Sequence, residues 1–180
     1  MKIRSLATGV LLSAASLAAV TVLGACNTAP LDVAEGVSLQ QFQGKWYEIA
    51  KLPRVTQANC TATTATYTMT SDHELSVAHE CRLGSFDGSQ RRVAASAKVP
   101  NLDAPAKMSL EVSGFWGDYW IIDIDAEAKA YAVVGHPSRQ YLWILSRTPE
   151  LDASTLTPLL ERAKAKGFEV SHLEYTPQHK

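Results

Sequence analysis

The chain has 180 residues, 46% of them hydrophobic, and a formal net charge of -1 from 17 basic and 18 acidic side chains. That is material for one ordinary domain with a real core, which excludes a disordered chain and leaves no room for two average domains. The balanced charge offers no electrostatic footprint for nucleic acid.

The first 25 residues stand apart. Lys2 and Arg4 open a basic start, and the run from Ser5 to Ala25 carries no charge. A basic start, an apolar stretch and small residues at its end describe an export signal. A membrane-spanning anchor is the alternative, but the run is rich in Ala, Ser and Thr and no basic stop follows it. Leu23-Gly24-Ala25-Cys26 resembles a bacterial lipobox, in which the cysteine becomes the lipidated first residue. At about 0.8 kcal/mol per buried methylene, three acyl chains on Cys26 would make a permanent anchor. Asn27 stands where an aspartate tends to hold such lipoproteins in the inner membrane, so the resemblance implies an outer membrane lipoprotein facing the periplasm. Residues 26–38 read as the lipidated start and a short tether, and 39–180 as the folded domain.

From there short apolar or alternating runs recur about every ten residues. They predict strands near 44–52, 60–69, 74–82, 90–99, 106–113, 118–125, 129–135 and 141–148, with turn residues between them. Even spacing without intervening helices predicts an antiparallel sandwich or barrel. Leu156, Leu159, Leu160 and Ala163 then fall at helical spacing, with Gly167 as the stop. The start of this helix is open: Asp152 as cap leaves Pro158 inside, and Thr157 as cap puts Pro158 at the first position. The stretch 168–176 is a candidate last strand.

Three cysteines are an odd count for an exported chain. With Cys26 lipidated, Cys60 and Cys81 remain as a pair, and folding about Ser71-Asp72-His73 brings them nearly opposite. A disulfide is the reading; two buried free thiols are the alternative.

Gly44, Trp46, Tyr47, Glu48, Ile49 and Ala50, at the start of the first strand, resemble the first-strand signature of the lipocalin family. Residues 141–149, YLWILSRTP, resemble the family's eighth strand, which ends in an arginine crossing the first-strand tryptophan. At Ile124-Asp125-Ala126 the family's turn aspartate is kept while its Thr and Tyr are not. With the lipobox, the likeness is to bacterial outer-membrane lipocalins related to apolipoprotein D. It implies an all-β fold: an eight-stranded antiparallel up-and-down barrel, a calyx with one C-terminal α-helix packed outside. Gly44, Trp46, Asp125 and Arg147 would then form the floor motif, with Arg147 over the Trp46 indole.

Alternation puts Trp46, Glu48 and Ala50 on one face. Glu48 points inward above the floor, either as a hydrogen-bonded brace or as a ligand contact. Met108, Leu110 and Val112 share a face opposite Lys107, Ser109 and Glu111, and Tyr141, Trp143 and Leu145 share parity with Arg147; both sets are expected to line the pocket. Phe86, Phe115 and Trp116 fall in loops at the open end, where they either pack over the rim or touch a membrane surface. No metal-ligand spacing, phosphate loop or catalytic triad is present. His79 is the only strand histidine that could serve as an axial ligand inside a barrel. Asp123 and Asp125 share a face, but acids at strand ends usually cap turns.

The expected function is therefore that of a membrane-anchored carrier of a small apolar ligand, a fatty acid or lysophospholipid, with no cofactor. A homodimer is left open. The alternative is an enzyme on the same fold that uses Cys60, near the mouth, as nucleophile, and a disulfide would remove that thiol.

Overall fold

The computed structural model describes residues 29–125 and 127–179. The export segment and Cys26 lie outside the described residues.

Eight strands form the wall: β1 Gly44–Lys51, β2 Cys60–Ser71, β3 Glu74–Leu83, β4 Gln90–Lys98, β5 Lys107–Val112, β6 Phe115–Ile124, β7 Tyr131–Gly135 and β8 Leu142–Ser146. Each is antiparallel to the next. β8 returns to β1, and β1 pairs with β2 through Gly44↔Tyr67 to Tyr47↔Thr64, which closes the ring. The sheet thus has no long free edge. The period-two pattern decides which way each strand faces. In β3, Leu75, Val77 and Cys81 are buried while Ser76 and Arg82 are exposed.

The barrel interior and the helix side hold separate apolar clusters. Inside are Trp46, Tyr67, Leu75, Met108, Tyr119 and Ile121. Outside, helix α2, Ala153–Ala165 and numbered after a short α1 at Leu39–Phe42, buries Leu159 and Ala163 against Ile49, Ile122, Ile144 and Phe168. Asp152 sits at the N-cap position without a side-chain cap bond, and Pro158 lies inside the helix. The longer of the two expected helices is therefore the real one. Packing of its apolar face outweighs the backbone bond that Pro158 lacks.

Four local readings need correction. First, residues from Leu31 onward, assigned to the tether, pack on the domain. Leu31 and Val37 are buried, and the Ala34 N–H donates to the Ile121 carbonyl at 2.9 Å. Second, α1 was not foreseen; four residues are too short to show a helical period. Third, a bulge between Glu48 and Ala50 turns Ala50 from the Trp46 face to the helix-side cluster. Fourth, the β5–β6 turn is Ser113-Gly114, both with positive φ, rather than the aromatic stretch that follows. Phe115 and Trp116 are therefore the first residues of β6.

A two-residue strand, β9 Glu174–Tyr175, pairs with Ala50 and Lys51 of β1, and Lys51 forms an ion pair with Glu174. Above their paired halves β1 and β2 part, and the chain's end fills the cleft. The Thr176 N–H donates to Ile49 O at 2.9 Å, and the Ala62 N–H donates to Pro177 O at 2.8 Å. The Gln178 amide donates to both Glu48 O and Thr63 O.

Candidate ligand-binding cavity

The lower half of the barrel is solid. Phe42 of α1 lies beneath the strands, its ring 5.2 Å from Trp46 and 4.8 Å from Tyr67, centroid to centroid. The Trp46 indole N–H donates to Phe42 O at 2.8 Å. Arg147 covers the outer face of that indole at 3.6 Å, and its guanidinium donates to Lys45 O and Gln41 O. Burial draws the Arg147 pKa below its usual value, though not enough to uncharge it. Gly44 has φ +93, and a Cβ there would meet Arg147 Nη1 at 3.3 Å, so both backbone and space call for glycine. Asp125 does turn work at the same end: its carboxylate accepts from the N–H groups of Glu127, Ala128 and Ala130. Asp123 pairs with Arg162 of α2.

Halfway up, two tyrosines meet. Tyr67 of β2 and Tyr119 of β6 stand four strands apart in the ring of eight, and their hydroxyls hydrogen-bond at 2.6 Å. Burial raises both phenol pKa values well above normal, so both stay neutral. Above Tyr119 lies a cavity of about 130 Å³.

The cavity has two unlike walls. One is apolar, from Leu110, Val112, Trp143 and Leu145. The other carries Glu48, Thr63 and His79. Glu48 is fully engaged: Gln57 Nε2 donates to Oε2 at 2.9 Å and Thr176 Oγ1 to Oε1 at 2.7 Å. Burial raises its pKa, with those two hydrogen bonds and Lys51 pulling the other way. His79 is pushed down to about 4, first by burial and then by the Arg54 charge, so its ring is neutral at neutral pH.

The β1–β2 loop folds over the mouth. The Arg54 guanidinium lies 4.8 Å from the Tyr141 ring and 5.0 Å from Trp143. Gln57 reaches inward between Glu48 and the Trp143 indole, which donates to Gln57 Oε1 at 3.2 Å. Arg91 holds the loop from the other side by donating to Thr56 O at 2.8 Å. The loop runs into Cys60, which is disulfide-bonded to Cys81. Cys60 lines the cavity but offers no thiol, so the expected disulfide holds and the alternative of a cysteine nucleophile does not.

Of the residues expected in the pocket, Glu48, Leu110, Val112, Trp143 and Leu145 line the cavity. Two do not. Met108 is fully buried in the solid half below, one inward position too deep. Tyr141 sits on the rim, stacked on Trp143 at 6.4 Å. Sequence parity could not locate the tyrosine bridge that separates floor from cavity. Arg54, Gln57, Thr63 and Arg91 were not foreseen as lining residues; the first two sit in an irregular loop, the bulged start of β2 obscures Thr63, and Arg91 stands beside Arg92, so polarity does not tell which of the two faces inward. At the open end Phe115 is 79% exposed and Trp116 51%, with Lys98 over its ring. Phe86 leans on His179, ring centroids 4.2 Å apart.

A family model described as a lipocalin-like domain matches residues 37–178. Temperature-induced lipocalin-1 of Arabidopsis thaliana is 36% identical over 82% of this chain and 83% of its own. The outer membrane lipoprotein Blc of Escherichia coli strain K12 is 31% identical over 93% of this chain and 96% of its own. Among solved structures, lobster apocrustacyanin A1 superposes with a TM-score of 0.62 at 17% identity, covering 78% of this chain and 79% of its own. Insecticyanin of the tobacco hornworm Manduca sexta does so at 0.61 and 20% identity, covering 84% of each chain.

Proposed function

We propose, for a chain that belongs to the lipocalin family, that it is a membrane-anchored carrier of a fatty acid or lysophospholipid in a bacterial envelope. Binding of small hydrophobic ligands is the family's function. The finer reading rests above all on the cavity, whose apolar wall lies beneath a rim carrying Arg54 and Arg91. An acyl chain suits the wall, and a carboxylate or phosphate head suits the two guanidinium groups. An engineered cavity of about 150 Å³ accepts only a single benzene ring. A whole acyl chain therefore requires the loop over the mouth to move, Gln57 first, so that loop acts as a lid.

The lipobox-like run ending at Cys26 and the likeness to an outer membrane lipoprotein support the anchor. The exposure of Phe115 and Trp116 at the open end supports contact with the bilayer surface while a lipid enters or leaves. Native mass spectrometry of the protein from a bacterial envelope, wild type beside Cys26→Ser, tests both parts. The wild type should begin at residue 26, carry acyl mass there, and retain one noncovalent lipid. Cys26→Ser should lack the covalent acyl groups and keep the lipid. Equal acylation of the two forms would overturn the anchor. Failure of either form to take up added fatty acid or lysophospholipid would overturn the carrier.

A further inference from the structure

The cavity's polar wall holds two groups with nothing to bond. The Thr63 hydroxyl is buried and has no hydrogen-bond partner among the described residues. The His79 ring lines the cavity and makes no hydrogen bond to any of them. Glu48, on the same wall, has both carboxyl oxygens occupied and is a brace, not a free contact. The wall cannot be relieved from behind, because the tail closes it: Gln178 bridges Glu48 O and Thr63 O on the far side of β1 and β2.

A plain acyl chain against this wall would leave both groups unpaired. Each buried polar group left so costs about 1–3 kcal/mol. His79 faces Ala65 across the β2–β3 ladder, and Thr63 stands two residues further along β2 towards the mouth, where the register shifts; all three line the cavity. Ala65 is small and takes up little of the space there. A neutral imidazole presents one donor and one acceptor, and a threonine hydroxyl can act as either. Their shared complement is a ligand hydroxyl or carbonyl oxygen rather than a charged group. Charge belongs to the rim: Arg91 lies two residues nearer the mouth along β4 than Val93, the partner of His79. That separation is about 7 Å.

We propose that the cavity is shaped for an oxygenated acyl chain, bearing a hydroxyl or keto group a few carbons from its anionic head, with that oxygen held between His79 and Thr63. This rests on the acyl-ligand reading above and adds to it a position and a chemistry for the second polar group. Discrimination of about tenfold is what one neutral hydrogen bond in a closed site supplies.

The test uses the full chain and stearic acids carrying a single hydroxyl at successive positions, with unsubstituted stearic acid as reference. Affinity is followed by Trp143 fluorescence and by calorimetry. One or two isomers hydroxylated near the head should bind about tenfold more tightly than stearic acid, and isomers hydroxylated far from it should not. His79→Leu should erase the preference, and His79→Gln, which keeps a donor and an acceptor, should restore part of it. Thr63→Val should weaken the preference while raising the melting temperature, since it removes an unpaired hydroxyl from a buried site. That variant keeps the test open should His79→Leu not fold. Equal affinities across the series, or a preference that is undiminished in Thr63→Val or in His79→Leu, would overturn the inference and leave the carrier standing. Failure of the whole series, stearic acid included, would overturn both.

Discussion

The two halves of this barrel are built from the same strands and do opposite things. Below the Tyr67–Tyr119 bridge the buried interior, with Trp46, Leu75, Met108 and Ile121, is apolar and packed, and Arg147 lies outside against Trp46. Above it the same strands present Glu48, His79 and a loop-borne Gln57 around empty space. The closed half supplies stability without specificity. The open half gives up packing and accepts unpaired polar groups, which is the expected signature of a ligand site.

The largest test of that division is Trp46→Ala. The indole is fully buried and holds three contacts at once, with Phe42, Arg147 and the Phe42 carbonyl. Its loss should lower unfolding free energy by about 3–5 kcal/mol in urea titration. The folded fraction of the variant should still bind ligand with unchanged affinity. A loss of affinity in that fraction would mean that floor and cavity are not independent.

The boundary itself comes next. Tyr67→Phe leaves the Tyr119 hydroxyl buried without its partner, and should cost about 1–3 kcal/mol. The double variant with Tyr119→Phe should cost clearly less than the sum of the two single changes, because no hydroxyl is then orphaned. Additive effects would show that the hydroxyls are satisfied by something other than each other.

The third test concerns pH, and it separates the halves most cleanly. An unfolded histidine takes up a proton near pH 6.5, whereas folded His79 resists until about 4. Across that window the unfolded chain binds more protons, so His79 removes stability as pH falls. Glu48 has the opposite sign. Its folded pKa is raised, so its contribution is present below the unfolded value of 4.5 and fades as pH rises through the folded one. Both groups belong to the upper half. His79→Gln should therefore lose less stability than wild type on acidification from pH 6.5 to 4, by up to about 1.4 kcal/mol per pH unit. Parallel stability curves for the two proteins would show that His79 is protonated freely in the folded state.

The strands and the disulfide were legible in the sequence for a shared reason: each depends on a pattern that short-range geometry makes unavoidable. Period-two alternation tells a strand which side is wet. A hairpin of known turn position puts Cys60 and Cys81 near one another. The floor of Gly44, Trp46 and Arg147 was legible through the resemblance to the lipocalin family's first and eighth strands. Asp125 was readable as a turn cap on the same grounds, and it caps the turn.

The tertiary structure decided the rest, because those features join residues with no sequence relation. The bulge at Ile49 reverses Ala50, and neither residue announces it. The tail at 176–178 enters a cleft that exists only once β1 and β2 diverge. Arg54 and Gln57 lie in a loop without periodicity, so only the folded chain shows them lying over Trp143. The depth of the cavity is set by one hydroxyl-to-hydroxyl contact between residues 52 apart. Alternation along a strand determines which side chains face inward; how far down the barrel they stop packing and start enclosing space depends on which of them meet across it.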